Sequence, residues 1–180
     1  MGTTDGFAQR PYVRESRRAL TLRTVTELDV GVEASPGGST VFEDTVGIGA
    51  YRIDLHPTPA GRSYVDVDCY PFQIPLRALV CRTVTNLVPA AKGIGTTHIS
   101  NGALRLHPVE WSAGEAAATL AAHLVRHRIT SQDAATSRSH VADIQRLLRG
   151  TLGSTLEWPE DIRTTPCPAD VAVPRLVEPL

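Results

Sequence analysis

The stretch from Lys92 to Ala122 constrains this chain most. A glycine-punctuated turn, Lys92-Gly93-Ile94-Gly95-Thr96-Thr97-His98, follows an apolar run and enters a long pattern rich in small residues. Apolar strand, glycine loop and helix N-terminus together make an arrangement that holds an electron-rich group on backbone N–H donors. Ala113, Gly114, Ala116, Ala117, Ala118, Ala121 and Ala122 predict a face that another backbone or a flat ligand approaches closely. Gly93-Ile94-Gly95 is only a partial echo of a dinucleotide-binding turn, because Thr97-His98 stands where another glycine is wanted.

Leu106, Val109, Ala113, Ala116, Leu120 and Leu124 recur at spacings of three and four, which predicts one helix from Leu104 to His127. Pro108 fits in its first turn. A second helix is expected over Ser139–Arg149, stopping at Gly150. Upstream, strands are expected over Arg17–Val25, Val46–Leu55 and Ser63–Tyr70, with extended chain at the start of Ile74–Val80. Asn86–Ala91 reads as a short buried strand. The expected class is α+β: a mostly antiparallel sheet, then one long helix and a short helical C-terminus. Residues 1–85 form the expected β region, 86–150 the strand, loop and helices, and 151–180 a proline-rich tail that docks or dangles. No G-x-G-x-x-G turn follows an N-terminal strand, so no dinucleotide-binding unit is expected within the chain.

A net charge of -1 excludes a long-range pull toward nucleic acid or an anionic membrane. No apolar run approaches a membrane span, and Met1–Gly6 shows no secretory leader. Cys69, Cys81 and Cys167 form no C-x-x-C pair, which points to a reduced, cytoplasmic setting. His123 and His127 are four apart on a helix, a metal-compatible spacing, but the sequence indicates no third ligand and no metal site is expected. Asp66 and Asp68 share a strand face that solvent explains.

Several segments, in order, resemble the FAD-dependent oxidoreductase family. Arg14-Glu15-Ser16-Arg17-Arg18, preceded by Pro11-Tyr12-Val13, is similar to its Arg-Glu-Ser-Arg-Arg segment. Gly49-Ala50-Tyr51-Arg52-Ile53-Asp54-Leu55-His56 resembles its Gly-Ser-Tyr-x-Ile-Asp-x-His strand, and Tyr70–Leu79 its Tyr-x-Ile-Pro-Tyr-Arg-Ser-Leu segment. Asn86–Lys92 stands where a family strand returns to the flavin domain. Thr97-His98 with Arg105, and Ser112–Ala117, are similar to its Thr-His…Arg and Leu-Gly-Gln-Ala-Ala patterns. Pro89, Ala91, Glu115 and Ala118 depart from those patterns.

The resemblance implies FAD as cofactor and hydride transfer with a small-molecule substrate. It marks His98 and Arg105 as candidate orienting or proton-transfer groups, each with a structural alternative: a loop-tying histidine and an ion-paired arginine. Gly93, Ile94, Gly95, Gly102, Leu104, Leu106 and Gly114 are the implied flavin-side residues, and Arg14 and Arg77 the substrate-side ones. It also implies that the chain is the C-terminal half of such an enzyme, with a flavin-binding half, or self-association, covering the helix stripe. The alternative is a split subunit or degenerate remnant that acts as an interaction protein.

Overall fold

The computed structural model describes residues 4–7, 9, 13–15, 17–57, 61 and 64–167. The first half carries α1 (Glu27–Val30), β1 (Thr45–Gly49), β2 (Ile53–Leu55), β3 (Val65–Val67) and β4 (Phe72–Pro75). The second carries α2 (His98–Leu104), α3 (His107–His127), α4 (Ser131–Thr136), α5 (Arg138–Leu147) and α6 (Glu160–Arg163). β1 pairs antiparallel with β4, and β2 with β3, giving two small sheets and an α+β architecture. Pro11, Tyr12 and Ser16 of the expected family segment, and the tail from 168 onward, lie outside the described residues.

The expected strands are broken up by their partners. Arg17–Val25 forms no continuous strand, because its amides go to separate acceptors. Leu22 donates to Val80 O at 2.9 Å, and Val25 to Gly95 O at 2.9 Å. Val46–Leu55 divides at residues 50–52, where the chain leaves β4 and turns to pair with β3. Arg52, in that break, clamps Asp66 at 2.6 Å and Asp68 at 2.8 Å, which gives the paired carboxylates a structural task. After β4 the chain tightens into a 3₁₀ turn over Leu76–Leu79 instead of continuing extended. Asn86–Ala91 is not a strand: Leu87 is exposed, and Pro89 has no N–H to give a ladder.

Pro108 sets the helices. A helix running through it would lose one backbone bond and press its ring on the Leu104 carbonyl. The chain therefore breaks: Arg105 caps α2, Leu106 adopts extended geometry, and α3 starts with the proline in its first turn. The helix expected from Leu104 is thus α3, starting three residues later at His107, and α2 is a separate helix in the stretch expected as loop. Thr130 caps α4, a helix the sequence reading missed, through a reciprocal pair with Asp133. α5 ends in a wider turn over Leu148–Leu152, one residue before Gly153 in left-handed geometry.

The stripe of α3 is core, not an unsatisfied face. Val109, Ala113, Ala116 and Leu120 are buried with Val46, Phe72, Ile74 and Ile144. The close helix–strand approach comes from the strand's glycines. A Cβ on Gly49 would lie 2.7 Å from Val109 Cγ2, and one on Gly47 would overlap the Ser112 hydroxyl. Leu156 and Trp158 dock on the same layer: Leu156 is buried, and Trp158 Nε1 donates to Gly49 O and Phe72 O, each at 3.2 Å. Among the described residues no helix is long and apolar enough to cross a membrane.

Gly114 differs from the sequence expectation. A Cβ there meets no atom within 4 Å, so among the described residues no neighbouring backbone approaches it. Replacing glycine inside a helix gains about 0.5–1 kcal/mol when nothing clashes. Gly114→Ala is therefore expected to raise the melting midpoint of the chain by roughly 1–4 °C in a thermal scan.

Candidate functional site

The glycine loop is built into the core rather than left free to wrap a ligand. Ala19 N–H donates to Gly93 O at 2.9 Å, Gly95 N–H to Ala78 O at 2.8 Å, and Thr97 N–H to Val25 O at 3.1 Å. A Cβ on Gly95 would overlap the Thr21 hydroxyl and sit 2.6 Å from Arg23 O. One on Gly102 would lie 3.0 Å from the Asp54 amide nitrogen. Ile94 and Leu104 are buried core residues, and Leu106 packs at the core edge. Of the implied flavin-side glycines in the loop and α2, Gly93 alone has open space where its Cβ would be.

At the start of α2, Thr97 accepts from Ser100 N–H in a capping pair. The amides of His98 and Ile99 precede the first intrahelical bond. His98 Nδ1 lies 2.6 Å from Glu15 Oε1, the same oxygen that Arg18 reaches at 2.5 Å. Glu15 thus fixes the imidazole's orientation and leaves Nε2 as the nitrogen it presents outward. Lys92 Nζ donates to Val13 O at 3.0 Å and Glu15 reaches His98, so residues 13–15 lie beside the glycine loop as a strap. Glu15 was not singled out from the sequence, although it stands inside the matched segment.

His98 and Arg105 do not converge. Seven residues of helix separate them, about 10 Å along the axis. Arg105 sits instead at the α2–α3 junction, only 7% exposed, and donates to Asp54 O at 2.5 Å. Among the described residues no carboxylate lies within ion-pair distance of it. Two residues later α3 begins without a side-chain cap on Leu106. Pro108 has no N–H and Glu110 N–H bonds Leu106 O, so the amides of His107 and Val109 precede the first intrahelical bond of a 21-residue helix. Buried positive charge and an unfilled helix N-terminus meet at one place.

Lys92 links this junction to the loop. Its ammonium is 3.6 Å from Glu110 Oε1, and its carbonyl accepts from Asn101 Nδ2 at 3.4 Å. Asn101 Oδ1 is buried with no hydrogen-bond partner. On its other flank, the first turns of α3 border a cavity of about 300 Å³ lined by Ile48, Ala50, Pro108, Trp111 and Trp158. Trp111 is 73% exposed there.

The remaining candidates lie elsewhere. Arg77 grips Asp44 with two guanidinium nitrogens, at 3.0 and 3.2 Å, and is an ion pair of the fold. That pair raises the Arg77 pKa. Arg14 is exposed in the strap beside Glu15. Burial pushes the Cys69 thiol up to about 12, which removes it as a nucleophile at neutral pH.

A flavin is a test of these residues. Its pyrimidine edge offers carbonyl acceptors, one N–H donor and an N1–O2 locus that gains negative charge on reduction. Uncapped amides, a nearly buried guanidinium and an orphaned amide oxygen suit that edge. A diphosphate needs a glycine-rich turn with free amides at a helix start, and the loop before α2 commits its Gly95 and Thr97 amides to Ala78 O and Val25 O. The residues fit the ring edge of FAD and not its diphosphate.

No curated protein and no solved structure matches this chain. The model of the family described as FAD dependent oxidoreductase matches residues 2–148, most of the sequence and all of the strap, loop and junction. The chain belongs to the FAD-dependent oxidoreductase family.

Proposed function

We propose that this chain forms the ring-edge wall of the flavin pocket, and part of the substrate lid, of an FAD-dependent oxidoreductase. A dinucleotide-binding unit completes the site by supplying the diphosphate turn. The observation that carries this reading is Arg105: a guanidinium 7% exposed, with a backbone carbonyl as its protein acceptor, two residues from an uncapped helix. A charge buried that far calls for an anionic partner.

When bound, FAD supplies the centre that exchanges hydride with a small organic substrate. Arg105 and the His107 and Val109 amides hold the edge that becomes electron-rich. His98, oriented by Glu15 at Nδ1, handles a proton at Nε2. The strap itself keeps water from the loop, with Arg14 as the substrate-side cation. Arg77, fastened to Asp44, takes no part in the proposed site.

The test is an FAD titration followed by quenching of flavin fluorescence. The chain alone is expected to be colourless and to show no saturation at micromolar FAD. Co-expression with a G-x-G-x-x-G-bearing unit encoded beside it is expected to give a yellow complex. Stoichiometric flavin on the chain alone overturns the need for a completing unit. A colourless complex overturns the flavin role and favours an interaction protein.

A further inference from the structure

We propose that His123, His127 and His140 form a binding site for one borderline divalent cation of the zinc class, with a fourth position open to the adjoining cavity. The sequence supplies two of the ligands at helical spacing four. The packing of α5 on α3 supplies the third: His123 Nε2 lies 3.0 Å from His140 Nδ1. One donor atom from each of the three rings lies within 4.8 Å of the others. Their ring centroids are 4.1, 5.1 and 5.5 Å apart.

A tetrahedral zinc with Zn–N near 2.0–2.1 Å separates its nitrogens by about 3.3 Å. The His123–His140 pair already meets that spacing. His127 is exposed and closes the remainder by turning its ring. Three imidazoles without thiolates suit zinc, cobalt, nickel or copper rather than magnesium or calcium.

A cavity of about 490 Å³ opens beside His123 and His127. Asp143, Arg126 and Arg146 line it, and Asp143 is held by Arg146 at 2.9 Å. A metal-bound water or a small anion has room there, while three protein ligands are the number that leaves a tetrahedral position free.

The test uses the chain with any purification tag removed, stripped by a chelator and titrated with Co²⁺. Saturation at one equivalent is expected in the micromolar range, with the visible absorption of four-coordinate cobalt, displaced by Zn²⁺. His127→Ala and His140→Ala change residues outside the core. Each is expected to keep the helical circular dichroism and to weaken binding by at least about tenfold. Zn²⁺ is expected to raise the melting midpoint of the parent chain and not of these variants. Saturation only at millimolar metal, or affinity unchanged in both variants, overturns the site.

Discussion

Gly95→Val is expected to lower the stability of this chain by roughly 3 kcal/mol or more, and Gly93→Ala to leave it within about 0.5 kcal/mol. Both residues sit in the same loop, yet their surroundings differ. Side-chain atoms added at Gly95 run into the Thr21 hydroxyl and the Arg23 carbonyl. Thr21 cannot move away cheaply, because its hydroxyl donates to that carbonyl at 2.6 Å and its backbone bridges Cys81. The clash is with backbone on one side and a committed hydroxyl on the other. At Gly93 the same position is empty. A thermal melt reads the contrast as a drop of roughly 6–12 °C for Gly95→Val and almost none for Gly93→Ala. Equal midpoints for the two would mean that the loop is not braced by residues 19–25. In the completed flavoenzyme proposed above the order reverses in meaning: Gly93→Ala, harmless to the fold, is expected to weaken flavin retention because it fills the one open glycine of the loop.

That contrast also marks how far the sequence reads. Periodicity located α3 and most of α5, because an apolar stripe must face a core wherever that core lies. It did not locate α2, a seven-residue helix too short to carry a stripe of its own, which ends at Arg105 just ahead of Pro108. The small-residue face of α3 suggested an approach at Gly114, but the tight contact uses Gly47 and Gly49 on the facing strand. Small residues on either partner permit the same approach, and one sequence does not say which partner provides it. Arg17–Val25 alternates like a strand, but its hydrogen bonds divide between two segments distant in sequence, residues 77–82 and 93–97. The family segments pointed to His98 and Arg105. They did not show that Glu15 orients the first, or that an uncapped helix adjoins the second. His140 was unreadable as a partner of His123, since nothing in residue spacing brings α5 onto the last turns of α3.

Arg105→Met is expected to separate function from fold. In the chain alone the substitution removes a charged hydrogen bond to Asp54 O, but it also removes a guanidinium held almost out of water. These terms oppose one another, so the melting midpoint is expected to shift by no more than a few degrees. In the completed enzyme proposed above, the same change deletes the charge assigned to the flavin's electron-rich edge. A hydrogen bond to a charged group contributes about 1.5–3 kcal/mol, and each 1.4 kcal/mol is a factor of ten. Flavin affinity, or the rate of flavin reduction, is therefore expected to fall by roughly 10- to 150-fold. Arg105→Lys keeps the charge but not the planar donor fork, and should recover only part of the loss. A large drop in melting temperature with flavin affinity unchanged would instead make Arg105 a brace between α2 and β2. The anion-holding role would then pass to the His107 and Val109 amides alone, and that is the result that would move the proposed flavin edge off the α2–α3 junction's arginine.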